Sequence, residues 1–131
     1  MMGTSSHDPD ALPGRKVLLV EDDYFIADEM RRMLSRDGAE ILGPVASIDK
    51  ALALIEAGSE IDAAVLDINL RDVTVFPVAD ALTARGVPFI FATGYDSAVI
   101  PARYAHIQHC EKPLQMDTLT RVLSAEVSKH C

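Results

Sequence analysis

The chain alternates short blocks of uninterrupted apolar residues with longer stretches in which apolar residues recur every three or four positions. The first block, Val17-Leu18-Leu19-Val20, stops abruptly at Glu21-Asp22-Asp23. A run without polar alternation predicts a strand buried on both faces, the habit of parallel sheets. Ala63-Ala64-Val65-Leu66, ending on Asp67, and Phe89-Ile90-Phe91-Ala92, ending at Thr93-Gly94, repeat the pattern. Ile41-Leu42 with Val45 predicts a short strand, and residues 107–111 a weak one that ends at Lys112-Pro113. Between these blocks the period changes. Ile26, Met30, Met33 and Leu34 predict a helix over 24–37, with Gly38 placed to stop it. Ser47 is placed to cap a second helix carrying Ala51, Leu52, Leu54 and Ile55, closed by Gly58. Asp67 is followed by a loop, then a short helix over 78–85. The segment 95–105 has room for only a short helix. The last helix covers 115–127, with Met116, Leu119, Val122 and Leu123 on one face.

Strands alternating with helices five times over predict an α/β fold with a parallel sheet, and right-handed crossovers put helices on both faces. Residues 1–14, with Gly3, Ser5, Ser6, Pro9, Pro13 and Gly14 and no apolar period, read as a disordered polar lead. Residues 15–127 read as one domain and 128–131 as a C-terminal tail.

Composition narrows the function. With 49% hydrophobic and 24% charged residues the chain is globular, and 131 residues suffice for one domain. Twelve Lys and Arg against twenty Asp and Glu give a formal charge of −8, so a phosphate backbone would be repelled and nucleic acid is no direct partner. No apolar run approaches the ~20 residues that cross a bilayer, and no signal-peptide core follows the first residues, so no membrane is expected. Cys110 and Cys131 have no zinc-ligand spacing and form no disulfide scaffold; the expected location is cytoplasmic. His7, His106, His109 and His130 likewise lack ligand spacing.

In open α/β sheets, sites form beyond the carboxyl ends of the strands. The first strand ends in Glu21-Asp22-Asp23, the third in Asp67, the fourth in Thr93 and the fifth in Lys112. Taken singly, each has an ordinary structural role: a helix cap, a turn, a solvated lysine. Together they bring acids, a hydroxyl and an amine to one sheet edge. Crowded carboxylates repel unless a cation is present, and Mg²⁺ prefers oxygen ligands in an octahedron at roughly 2.0–2.1 Å. Asp22 and Asp67 could bind such an ion directly and Glu21 through water. One carboxylate could then act as nucleophile towards a phosphoryl donor, with Lys112 and the Thr93 hydroxyl neutralising charge on the phosphoryl oxygens.

The runs Leu18-Leu19-Val20-Glu21-Asp22-Asp23, Leu66-Asp67, Phe91-Ala92-Thr93-Gly94 and Glu111-Lys112-Pro113 resemble a response-regulator receiver domain of two-component signalling. The resemblance implies a flavodoxin-like, doubly wound, five-stranded parallel sheet of order 2-1-3-4-5. It implies Asp67 as phosphoacceptor, Asp22 as a direct Mg²⁺ ligand, Glu21 acting through water, and the Asn69 backbone carbonyl as a further ligand. Thr93 would be the switch hydroxyl and Lys112 the partner of the phosphoryl group, joined to Pro113 by a cis bond. The Phe-Ala-Thr-Gly run followed by Tyr95 is similar to a subgroup of single-domain or hybrid-kinase-associated receivers. Tyr95 is placed to shield an acyl phosphate from water and slow its hydrolysis. Two positions depart from the pattern: Arg71 stands where many receivers have proline, and His109 where an aromatic switch residue is usual.

The expected function is thus a phosphorylation-dependent switch. A histidine kinase or histidine phosphotransfer protein would donate to Asp67. Output would run through protein–protein interaction or phosphate relay, over the face of the fourth helix, fifth strand and fifth helix, around Tyr104 and His106. The chain would be no enzyme beyond its own phosphorylation and dephosphorylation. The alternative is a docking module on the same fold that needs no phosphate. An aspartyl phosphohydrolase is disfavoured because Asn69 stands where a general acid is wanted, and a nucleotide-binding protein because no Gly-rich loop follows the first strand.

Overall fold

A computed structural model describes residues 12–71, 73–94, 100–112 and 115–129 of the chain. Five strands, β1 (Lys16–Val20), β2 (Glu40–Val45), β3 (Ala63–Asp67), β6 (Phe89–Thr93) and β7 (His109–Glu111), form one parallel sheet of order β2-β1-β3-β6-β7. This is the expected 2-1-3-4-5 order. The remaining strands, β4 (Asn69–Leu70) and β5 (Val73–Thr74), form a separate antiparallel hairpin inside what the sequence predicts as plain loop.

The uninterrupted apolar runs are explained by what lies on each side. Alternate side chains of a strand face opposite sides of the sheet. Val17, Leu19, Val65 and Ile90 enter one core with Met30 and Leu34 of α1 (Tyr24–Arg36) and Leu119 and Leu123 of α4 (Met116–Lys129). Leu18, Val20, Leu66 and Phe91 enter the other with Ile55 of α2 (Ile48–Glu56) and Val78 and Leu82 of α3 (Phe76–Ala84). With both faces covered, a polar residue at positions 17–20 of β1 or 63–66 of β3 would lose water without gaining a partner.

The helix starts follow from side chains in the preceding residue. Asp23 accepts from the Ile26 N–H at 3.1 Å and Ser47 from the Lys50 N–H at 3.2 Å. Each satisfies one of the donors a first turn leaves open. Helix α3 begins at Phe76, two residues before the predicted start, with a proline in its first turn where the missing N–H costs nothing. Among the described residues, no helix is long and apolar enough to cross a membrane.

Two boundaries differ from the sequence reading. Leu12 is fully buried in the α1/α4 core, so packing begins inside the stretch 1–14 that reads as a disordered lead. The Gly14 N–H donates to the Gly38 carbonyl at 2.9 Å, and a Cβ on Gly38 (φ +92°) would come within 2.9 Å of Pro13 Cα. Gly38 thus both ends α1 and lets the incoming chain pass close. Helix α4 continues to Lys129, into the predicted tail. The described part of the segment after β6 holds a single 3-10 turn, Ala102–Tyr104.

Tyr104 is also not a surface residue. Its ring is 4% exposed and packs with Phe76, Phe89 and Phe91 at centroid separations of 5.8–6.1 Å. Its hydroxyl donates to the Asp80 carboxylate on α3. The Arg103 guanidinium grips both oxygens of the same carboxylate at 3.1 and 3.2 Å. His106 and His109 are exposed, whereas Tyr104, expected on the output face, is buried.

Candidate functional site

The carboxyl ends of β1 and β3 lie side by side because Val20 pairs with Leu66 in the sheet, which makes Glu21 and Asp67 neighbours one residue further on. Carboxylate oxygens of Glu21, Asp22 and Asp67 all lie within 4.8 Å of one another. Glu21 is 2% exposed and Asp67 6%, and Asp22 opens the cluster to solvent. Backbone donors orient two of the three. The Asp23 N–H donates to Glu21 Oε2 at 3.1 Å, and the Asn69 N–H to Asp67 Oδ1 at 3.3 Å. Asn69 thus meets the cluster through its N–H, whereas the expectation from the sequence concerns its carbonyl.

Lys112, just past the end of β7, brings its ammonium 2.8 Å from Glu21 Oε1 and 3.3 Å from Asp67 Oδ2. On the solvent side, the Arg71 Nε lies 3.8 Å from Asp22 Oδ2. Arg71 is a site residue that the sequence reading treats only as a missing proline. The available signal was a cation in the first turn after the acceptor strand. The expectations for the Thr93 hydroxyl, for Tyr95 and for the Lys112–Pro113 bond concern groups outside the described residues.

Burial pushes the Glu21 carboxyl up to about 7, helped by Asp67 and opposed by the Lys112 ammonium and the Asp23 N–H. Burial also pulls the Lys112 ammonium down, but the carboxylates of Glu21 and Asp67 outweigh it and hold it above its usual range. One cation is thus shared between two buried acids and cannot neutralise both.

This arrangement fits a hard divalent cation. The donor set is all oxygen, three carboxylates converge, and Glu21 Oε1 is buried with the Lys112 ammonium near it but, among the described residues, no donor aligned for a hydrogen bond. Cys110, in β7 two residues before Lys112, plays no part: burial raises its thiol, and it packs in the α1/α4 core. A separate cleft of about 710 Å³, between the first turn of α2 and the hairpin, is lined by Arg71 but by none of the three acids.

A doubly wound parallel sheet with acids and a lysine converging at its carboxyl edge defines a class of phosphate-handling signalling domains. Residues 17–124 match the family model for the response regulator receiver domain, and the chain belongs to that family. Among solved structures, it is 37% identical to SdrG from Sphingomonas melonis Fr1, over 89% of this chain and 98% of that one, with a TM-score of 0.78. It is 38% identical to the BeF3-activated conformation of SdrG from Pseudomonas melonis Fr1, over 86% and 95%, with a TM-score of 0.71. A CheY-like receiver domain protein from Methanospirillum hungatei JF-1 is 25% identical over 89% and 96%, with a TM-score of 0.78. No match was found among proteins of curated function. Receiver domains interact with kinases or phosphotransfer proteins and with downstream partners, and generally bind Mg²⁺ at an acidic pocket.

Proposed function

We propose that this chain is a phosphorylation-dependent switch. Asp67 accepts a phosphoryl group from a histidine kinase or histidine phosphotransfer protein, and output passes by protein–protein interaction or onward relay. The observation that carries the reading is Asp67 itself: a nearly buried carboxylate at a strand end, 3.3 Å from a lysine ammonium and flanked by two further acids. The SdrG structure in its BeF3-activated conformation supports it, since that relative is of similar length and 38% identical.

In this mechanism the Asn69 N–H fixes the Asp67 carboxylate, whose oxygen attacks phosphorus in line with the departing donor atom. The donor's bond to phosphorus breaks with its electron pair, and an acyl phosphate forms on Asp67. Lys112, already placed between Glu21 and Asp67, meets the negative oxygens of the incoming group. Mg²⁺ would be held by Asp22, Asp67 and the Asn69 carbonyl, with Glu21 acting through water, and would supply further neutralisation of those oxygens. Thr93 is the switch hydroxyl of this scheme. The chemistry is confined to the chain's own aspartate.

The test is intact mass after incubation with acetyl phosphate and Mg²⁺. One added phosphoryl group, absent in Asp67→Asn and without Mg²⁺, is the expected result. No adduct together with no Mg²⁺-dependent beryllofluoride binding would instead favour a phosphate-independent docking module.

A further inference from the structure

The proposed chemistry leaves one cation at the site unused. Glu21 and Asp67 share the Lys112 ammonium, whereas Asp22 faces the Arg71 guanidinium at 3.8 Å. An exposed ion pair at that distance stabilises little. What sets Arg71 apart is how it is held. Its backbone has φ +48°, the left-handed region that residues other than glycine seldom occupy.

The turn is anchored on both sides. Asn69 pairs with Thr74 and Leu70 with Val73, the Val75 N–H donates to the Ile68 carbonyl at 2.8 Å, and Leu70 is buried. The hairpin begins at the residue whose N–H holds the Asp67 carboxylate. It therefore carries Arg71 at a fixed offset from the acceptor, while the side chain, 82% exposed, remains free to swing.

We propose that Arg71 is a phosphodonor-binding residue. Its guanidinium rests against Asp22 and turns to the oxygens of the incoming phosphoryl group once a cation engages Asp22. This rests on the reading of Asp67 as acceptor. A guanidinium fork matches two phosphoryl oxygens, which an ammonium cannot do in the same bidentate way. It also corrects the local charge. Three carboxylates against Lys112 alone repel a dianionic donor, and a divalent cation with Lys112 only balances them. Arg71 makes the site net positive. With acetyl phosphate as donor, an Asp67 oxygen bonds to phosphorus as the bond from phosphorus to acetate oxygen breaks, and acetate leaves as the anion with the electron pair. No proton moves, so Arg71 binds and orients.

The experiment measures initial phosphorylation rates by intact mass against acetyl phosphate concentration at saturating Mg²⁺, in wild type, Arg71→Gly and Arg71→Lys, with Asp67→Asn as blank. Glycine suits the left-handed turn, so that variant removes the charge while keeping the hairpin. The half-saturating acetyl phosphate concentration should rise about fivefold in Arg71→Gly and be partly restored in Arg71→Lys, with a smaller change in maximal rate. The Mg²⁺ midpoint, read by thermal shift without donor, should be unchanged or lower in Arg71→Gly. Unchanged half-saturation overturns the proposal, as does weakened Mg²⁺ binding with unaltered donor dependence, which would make Arg71 merely a support for Asp22. A wild type that takes up no phosphoryl group and shows no Mg²⁺-dependent beryllofluoride binding overturns the reading of Asp67, and Arg71's role with it.

Discussion

Replacing Glu21 with glutamine should remove most of the pH dependence of stability that the acid cluster gives the metal-free protein. The Glu21 side chain is fully buried, and its carboxyl is pushed up from the ordinary 4.5 to about 7. Between those values the folded chain binds more protons at this group than the unfolded chain does. Stability therefore falls as pH rises through the interval and levels off above it. The shift corresponds to at most about 3 kcal/mol, at 1.36 kcal/mol per unit. With a urea slope of about 1.5–2 kcal/mol/M, that is a loss of about 1–2 M in the unfolding midpoint between pH 5 and pH 8. Glutamine keeps the shape and cannot ionise. In EDTA, the variant's midpoint should be nearly level over this range and above the wild type's at pH 8. Urea titrations of both proteins at four pH values make the comparison, and taking their difference cancels the histidines. Midpoints of the two proteins moving in parallel, or a wild type more stable at pH 8 than at pH 5.5, would refute the reasoning. Mg²⁺ at pH 8 should restore the wild type's loss, since a ligand that binds only the folded state stabilises it by mass action.

Tyr104→Phe should cost about 1–2 kcal/mol, the loss of a hydrogen bond to a charged group, whereas Tyr104→Ala should cost about 3–5 by emptying the space among Phe76, Phe89 and Phe91. Chemical denaturation checks both, and equal costs would mean that the ring does not anchor the turn. Leu12→Ala should cost about 2–5 kcal/mol, and a neutral effect would return residue 12 to an unpacked lead. In a Cys131→Ser background, a thiol reagent should label Cys110 only as the protein unfolds, because burial both covers the thiol and raises it; rapid labelling of the folded protein would contradict its placement in the core.

The parts of the fold that could be read in advance share one property. β1, β3 and β6 are covered on both faces, so their composition is apolar throughout and their ends are marked by the first polar residue. The same marks are the candidate site. Glu21, Asp67 and Lys112 were legible because each is a charged residue at the end of a strand run. What escaped the sequence reading is set by few residues or by distant ones. Two residues per strand show no period, so the hairpin at Asn69–Thr74 left no trace. Arg71 stands in a turn conformation that its own side chain does not favour. Leu12 is a single apolar residue in a polar stretch. Tyr104 is buried by rings from α3 and β6, which no local pattern reports.

The chemistry of the cluster belongs to this second kind. Glu21 and Asp67 become neighbours only through the pairing of Val20 with Leu66. A slip of one residue between β1 and β3 would send the Asp67 side chain to the opposite face of the sheet while leaving every motif intact. Close packing opposes that slip, because it would exchange the residues of the two cores along the whole of β3. The hydrophobic runs therefore do more than frame the acids. They hold two carboxylates against their mutual repulsion, with one lysine between them, and so keep the acid cluster together at the carboxyl edge of the sheet.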